Sequence, residues 1–210
     1  MQQQTLFTQP TIATTPASTP SKAAVNNASL INQTSGGFEY YTPGEIVTAA
    51  RCVMGRIDLD PASSAIANQT VQATHYYTIE DDGLSQRWYG TVWMNHPFSR
   101  VNNPKWIEKL RTEYELGDVE QACCICFAAT SENWFQPLYD YAICFLSPRT
   151  NYYLPDGTLK PDVTKGSVVT YLGTNIYGFI QEFKSFGRIM LPEWRVTVSP
   201  ETGWYAGGVP

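Results

Sequence analysis

The chain has 210 residues, of which 43% are hydrophobic and 13% aromatic, which is enough for one domain with a buried core. A net charge of −5 argues against a surface coated by nucleic acid, although it leaves room for a local basic face. No stretch of the sequence is long and apolar enough to span a membrane, and the first residues lack a secretory signal pattern.

The first 37 residues are rich in Gln, Thr, Ala, Pro, Ser and Asn and contain almost no bulky side chains. Such a segment cannot bury enough apolar surface to offset the entropy lost on ordering. Residues 1–37 are therefore predicted to be a disordered polar tail, and residues 38–210 a single folded domain.

From Tyr40 onward, helical and strand patterns alternate along the chain. Thr42 as an N-cap and Pro43 at a helix start predict a helix over residues 43–54. Further helical segments are predicted at residues 63–73, 104–114 and 132–139. Strands are predicted at residues 56–60, 74–78, 91–94, 122–129, 142–146, 168–172 and 195–198. Strands separated by helices indicate an α/β fold with a largely parallel sheet and helices on both faces.

Cysteine usage indicates a reducing, intracellular setting. Three of the five cysteines, Cys123, Cys124 and Cys126, lie in one apolar run and are predicted to be buried thiols of a central strand. A zinc site would require paired spacing and more partners, so no metal site is predicted. An odd number of cysteines without a secretion signal favours a compartment where thiols stay reduced.

Three polar sites occur at element ends, where parallel sheets bind their ligands. Thr42 and Pro43 place a hydroxyl at a helix N-terminus, which suits a carboxylate but also suits plain helix capping. Asp60 and Pro61 end a strand and offer an acceptor to an ammonium group, or an ordinary strand-to-loop break. Asp82 lies in an acidic turn, where it can accept from an exocyclic amine or serve the turn alone.

A fourth site, Asn95, His96, Pro97 and Phe98, follows the predicted strand at residues 91–94. An amide, a polar link, a rigid proline and an exposed aromatic ring can together clamp a planar base that carries an amino group. An aromatic residue after proline in a simple turn is the structural alternative.

The four sites in this order resemble the phage-type DNA N-6-adenine methyltransferase (Dam-like) family. Its pattern runs from a Thr-Pro helix start through Asp-Leu-Asp-Pro and Asp-Asp-Gly-Leu…Trp to Asn-Pro-Pro-Tyr/Phe, and Trp88 occupies the Trp position here. The resemblance implies a Rossmann-like, S-adenosylmethionine-dependent methyltransferase sheet. It further implies methyl transfer from S-adenosyl-L-methionine to the exocyclic amino group of adenine, flipped out of double-stranded DNA.

The resemblance also implies roles on the cofactor side. Thr42, with Pro43, would hold the carboxylate of the cofactor's methionine part, and Asp60, with Pro61, its ammonium group. Asp82 would accept from the amino group of the cofactor adenine.

On the target side, the resemblance implies that the side-chain carbonyl of Asn95 and the main-chain carbonyl of His96 accept from the target amino group. Phe98 would stack on the flipped base, and Pro97 would hold the geometry. Two acceptors would aim the nitrogen lone pair at the methyl group, so no strong base is required.

Three departures from the family pattern stand out. His96 replaces the first Pro, so Asn95 loses the restraint that a following proline imposes. No glycine-rich loop follows Asp60, and residues 64–76 contain no acid for the cofactor ribose, with Asn68 as a weak substitute. His96 and the missing ribose acid keep open the alternative of a non-catalytic DNA-binding or anti-restriction module. A separate alternative is an enzyme that methylates another amino group, on cytosine, an RNA base or a protein.

For DNA contacts, Arg100 is the phosphate candidate because it lies in the loop after the fourth site. The basic residues that follow it fit an ordinary solvated helix face equally well. Tyr152 and Tyr153 are candidate recognition residues, with core or surface aromatics as the alternative. The expected setting is the cytoplasm of a bacterial host, with a phage-encoded gene and a role in restriction-modification, and the sequence does not indicate an oligomeric state.

Overall fold

A seven-stranded sheet organises the chain in a computed structural model that describes residues 40–154, 156–160 and 163–192 and the strand backbones at 196–199 and 203–206. The predicted tail at residues 1–37 lies outside the described residues. The helices are α1 Gly44–Met54, α2 Ala67–Val71, α3 Asn103–Leu116 and α4 Ile176–Phe183, with a 3₁₀ helix at Gln136–Asp140. The strands are β1 Leu59–Asp60, β2 His75–Tyr76, β3 Gly90–Met94, β4 Val119–Phe127, β5 Ala142–Leu146, β6 Tyr152–Tyr153, β7 Leu159–Lys160, β8 Ser167–Leu172, β9 Gly187–Met190, β10 Val196–Ser199 and β11 Gly203–Ala206.

The strand order of the main sheet is β2-β1-β3-β4-β8-β5-β9. Strand β1 pairs in parallel with β2 and β3, and β3 pairs in parallel with β4. Strand β8 is antiparallel to both of its neighbours, β4 and β5, and β9 is antiparallel to β5. The chain runs outward from β1 to β2 and then returns to the other side of β1 with β3. In open α/β sheets such a reversal marks the place where a ligand crevice is expected, here outside the carboxyl ends of β1 and β3.

Helices cover both faces of the sheet, as predicted. Successive residues of β3 point to opposite faces, so Trp93 packs with α1 and α4 while Val92 and Met94 pack with α3. On the first face, Asn175 donates from its side chain to the Val53 carbonyl at 2.9 Å and ties α4 to α1. Each face therefore has its own apolar core, and the sheet between them is fixed in position.

Most predicted elements are present, and several others were not predicted. Helix α2 is shorter than predicted. The sequence does not predict helix α4, strand β9 or the hairpin β6–β7, and it predicts only the first strand of the hairpin β10–β11. Helix α4 has a recognisable start, because the Asn175 side chain accepts from the Gly178 amide at 3.1 Å. Strand β9 lies at the sheet edge and mixes exposed with half-buried residues, so its apolar pattern is weak. Within the described ranges, no helix is long and apolar enough to cross a membrane.

Candidate active site

The hydroxyl of Thr42 lies at the start of α1, buried and without a hydrogen-bond partner among the described residues. The prediction that Thr42 caps this helix is wrong. The N-cap position belongs to Pro43, whose extended backbone (ψ 138°) sets Thr42 one residue outside the helix, and no side chain caps α1. The hydroxyl and the first amides of α1 therefore form an unused set of polar groups that suits an anion.

Asp60 ends β1, and only 2% of it is exposed. Burial raises the pKa of its carboxyl from 3.8 to about 7, while the Ser63 hydroxyl and the Ala62 amide, 3.2 Å from Oδ1, partly oppose this shift. None of the ion pairs within the described residues involves Asp60. A buried carboxylate without a cation at a ligand crevice is suited to a ligand that supplies the positive charge.

Asp82 is brought to the Asp60 loop by its neighbour Gly83. A Cβ built on Gly83 would overlap the Pro61 carbonyl oxygen, so only glycine permits this approach. The indole N–H of Trp88 donates to the Gly83 carbonyl at 2.7 Å and holds the turn from the other side. Asp82 itself is exposed and has a left-handed backbone (φ 52°), which aspartate tolerates better than most residues. The Asp-Asp-Gly…Trp segment thus holds the turn that carries Asp82 close to the loop after Asp60.

Asn95 directly follows β3 and is half-buried. Its Nδ2 donates to the main-chain carbonyl of Tyr40 at 2.6 Å, and no donor within the described ranges reaches its Oδ1. One residue on, the Tyr41 hydroxyl lies 2.8 Å from Ser64 Oγ in the loop after Asp60. The segment before α1 therefore joins the two strand ends, and it fixes the Asn95 amide with its carbonyl oxygen unused.

His96 is buried (1% exposed), with Nε2 3.2 Å from Oδ1 of Asn103. Desolvation lowers the pKa of the imidazole from 6.5 to about 4, opposed only by the hydrogen bond with Asn103, so the ring is neutral at pH 7. Its Nδ1 is buried, and no group in the part of the chain that the structure describes forms a hydrogen bond with it. A ring enclosed in this way contributes structure, and its main-chain carbonyl remains the group predicted to face the target.

Phe98 is half-buried at the carboxyl end of β4. Its ring lies 4.4 Å from that of Phe127, the last residue of β4, and 6.0 Å from that of Tyr152. Pro97, before it, is exposed. The ring is thus anchored against the core while part of it remains accessible for stacking.

The three residues predicted to contact DNA differ in how exposed their side chains are. Tyr152 is completely buried, with its hydroxyl 2.7 Å from Ser167 Oγ, which removes it from any surface that DNA could reach. Tyr152 is therefore a core aromatic, which is the alternative that the sequence left open. Tyr153 is 40% exposed, and Arg100 is exposed without an ion-pair partner in the described ranges.

The basic residues of α3 fit the alternative of a solvated helix face. Lys109 pairs with Glu113 at 2.7 Å, and Arg111 pairs with Glu108 and Glu115 along the same helix. Arg100, in the loop before α3, is outside these helix pairs and remains the predicted phosphate contact.

Asn68 does not take the place of the missing ribose acid. Its Nδ2 donates to the Ala73 carbonyl at 3.2 Å and its Oδ1 accepts from the Ala73 amide at 2.8 Å, so both ends of the amide are already engaged in closing α2. Among the described residues, no group of three or more His, Cys, Asp or Glu side chains lies close enough together to hold a metal ion. The three cysteines of β4 are buried, as predicted.

Sequence reasoning missed two partners of the site, Tyr40 and Asn103. The first acts through its main-chain carbonyl, 55 positions before Asn95, and leaves no side-chain signal. The second starts α3 and meets His96 across the intervening loop. Both depend on how the chain packs, so no local pattern shows them.

Polar groups gathered where the strand order reverses are typical of nucleotide-binding α/β proteins. A family model described as DNA N-6-adenine-methyltransferase (Dam) matches residues 33–174, well over half of the chain, and this range contains all of the sites described above. The chain therefore belongs to the DNA N-6-adenine-methyltransferase (Dam) family, which supports DNA adenine methyltransferase activity. No curated protein matches the chain.

We expect Gly83→Ala to destabilise the fold and loosen the Asp82 turn, because the added methyl group would collide with the main chain at Pro61. The expected loss in free energy of unfolding is about 1–3 kcal/mol, typical of overpacking. Urea denaturation measures it. Gly166→Ala is the matched control, since its nearest atom beyond the chain neighbours is Ala128 Cβ at 3.8 Å. Equal effects of the two substitutions would contradict the close approach.

Proposed function

We propose that this chain transfers a methyl group from S-adenosyl-L-methionine to the exocyclic amino group of adenine, on a base flipped out of double-stranded DNA. The observation that carries the proposal is the placement of Asp60 and Asn95. Asp60 ends β1 and Asn95 directly follows the neighbouring parallel strand β3, which supports one site that holds both a group able to attract a cation and a group able to accept from an amine. The bacterial cytoplasm, and a phage-encoded gene, are the setting we propose for this activity.

The residues of the crevice fit the methyl donor. Its carboxylate matches the unpartnered Thr42 hydroxyl at the start of α1, and its ammonium matches the buried Asp60 carboxylate. Asp82, held beside the Asp60 loop by Gly83, would accept from the amino group of the donor's adenine. When bound, the donor supplies a methyl group on a sulfonium, which leaves as a neutral thioether.

On the target side, the Asn95 oxygen and the His96 carbonyl would accept from the two N–H bonds of the adenine amino group. This arrangement turns the nitrogen lone pair toward the methyl group and leaves the nitrogen to release one proton during or after transfer. The neutral His96 ring adds no charge that would compete with the donor cation. Alignment and exclusion of water would supply the rate.

The energetics of base extrusion are balanced. Flipping a base costs a few kcal/mol, and stacking on one aromatic ring returns about 1–3 kcal/mol. Phe98, fixed against Phe127, would roughly offset the cost of extrusion. The hydrogen bonds at Asn95 and His96 would then provide the selectivity for an amino group.

Methyl transfer from labelled S-adenosylmethionine to duplex DNA tests the function, with mass spectrometry of the digested nucleosides to identify the product. We expect N6-methyladenine, and its loss in Asn95→Ala. Donor binding without any transfer to DNA would favour the non-catalytic DNA-binding or anti-restriction module. Methyl groups on cytosine, RNA or protein would favour another amino-group acceptor.

Donor binding should weaken as the pH falls, because the ammonium group requires Asp60 to be ionised. With the carboxyl pKa at about 7, lowering the pH from 7.5 to 6 protonates most of the binding sites. The apparent Kd should rise on the order of tenfold, while the donor's own amino group stays mostly protonated. Isothermal titration calorimetry at both pH values measures the change.

Two controls isolate the Asp60 contribution. Asp60→Asn should bind the donor more weakly and lose the pH dependence, since an amide does not titrate in this range. 5′-Methylthioadenosine lacks the amino-acid part and should bind with little pH dependence. A pH-dependent Kd that persists in Asp60→Asn would assign the effect to another group.

Replacing Phe98 by Ala should lower turnover at least tenfold, because the flipped base loses its stacking surface. Steady-state kinetics on a short duplex gives kcat, and fluorescence anisotropy gives the DNA affinity, which should change no more than kcat does. Phe98→Tyr keeps the ring and is the matched control. Since Phe98 also packs on Phe127, urea denaturation must show that the Ala variant is folded. Unchanged turnover in a folded Ala variant would reject the stacking role.

A further inference from the structure

The second residue of the 95–98 loop is His96, where the family pattern has proline. A proline there would fix its own backbone angle and push Asn95 toward an extended conformation. Histidine does neither. Pro97 after it favours an extended His96 but does not fix the φ angle of His96 as a proline ring would, so the loop needs another source of rigidity if the His96 carbonyl is to keep one direction.

The structure contains such a source in the first residue of α3. Asn103 is 8% exposed, and its Oδ1 lies 3.2 Å from Nε2 of His96. The imidazole also meets the edge of Phe98 at 5.4 Å and the ring of Trp106 at 6.2 Å. A side chain enclosed on several sides has one orientation, and its main chain is restrained with it.

The hydrogen bond has a defined direction. The Asn103 amide oxygen can only accept, so Nε2 of the neutral His96 ring carries the hydrogen and donates it. The Asn103 main-chain amide meanwhile donates to the Ser99 carbonyl at 2.9 Å and closes the loop that separates the two residues. The start of α3 is thus tied to the 95–98 loop by a side chain and by the main chain.

We propose that Asn103 is a positioning residue of the base-binding loop: its hydrogen bond to the His96 ring fixes the direction of the His96 main-chain carbonyl, as a proline ring does elsewhere in the family pattern. This inference rests on the proposed function, in which that carbonyl accepts from the target amino group. Asn103 acts only through His96 and touches neither the donor nor the base.

The first test compares Asn103→Leu with Asn103→Asp in methyl transfer to duplex DNA. Leucine has a similar volume but no acceptor, so kcat should fall about tenfold, the effect of losing one well-placed hydrogen bond. KM for DNA and the Kd of the donor should stay within about twofold, since neither binding surface changes. Aspartate keeps an acceptor oxygen and should restore most of kcat. Equal loss of kcat with Leu and Asp would overturn the proposal.

The second test introduces the residue of the family pattern. In a His96→Pro background the carbonyl no longer depends on a side chain, so adding Asn103→Leu should change kcat less than about twofold. The same tenfold loss in both backgrounds would show that Asn103 acts independently of His96 and would overturn the proposal. If His96→Pro does not fold, the comparison of Leu with Asp at position 103 decides alone.

The outcomes also distinguish a failure of the proposed function from a failure of the role inferred for Asn103. An unaltered enzyme that transfers no methyl group to DNA rejects the proposed function and this inference with it. An active enzyme in which Asn103→Leu keeps its full kcat rejects the inference and leaves the proposed function standing.

Discussion

The pairing of β1 with β3 decides where every group of the site lies. Strand β1 has only two residues, too few for a ladder of hydrogen bonds alone to hold it between β2 and β3. The carboxylate of Asp58, just before it, accepts from the Thr91 amide at 2.9 Å, and the Asp58 amide donates to the Thr91 carbonyl at 2.8 Å. Gly90 (φ 64°) leaves the space that this carboxylate occupies, since a Cβ there would meet it. The short strand is thereby fixed against β3, and Asp60 arrives beside the strand that ends at Asn95.

Burial acts in the same sense on Asp60 and His96, two titratable groups of the site. Burial raises the pKa of Asp60 and lowers that of His96, and both shifts favour the neutral form. A ligand that brings a cation reverses this balance at Asp60, whereas His96 has no such partner and stays neutral. The two buried titratable groups therefore have different roles in the proposed function. Asp60 would receive the charge of the donor, and His96 would remain a neutral, enclosed ring.

The sequence predicts the parts of this architecture that depend on local pattern. The runs that become β3 and β4 are apolar and β-rich, and helix α1 shows apolar residues at helical spacing, so their burial could be read directly. The sequence also predicts that the four polar sites lie at the ends of helices and strands, and the fold brings these ends together. Partnerships between distant residues were out of reach, because the Tyr40 carbonyl and the Asn103 amide meet the 95–98 loop only through tertiary packing. Tyr152 shows the converse, since an aromatic pair in a polar stretch does not reveal which ring enters the core.

The short segment before α1 has a mechanical consequence. Tyr41 exchanges main-chain hydrogen bonds of 2.8 and 2.9 Å with Tyr153, on the β6–β7 hairpin, while the preceding carbonyl of Tyr40 holds the Asn95 amide. The β6–β7 hairpin and the Asn95 amide are thus connected through two consecutive residues. The hairpin is itself anchored in the core, because Tyr152 is completely buried. The direction of the Asn95 carboxamide is therefore set by packing outside the 95–98 loop as well as by the loop itself.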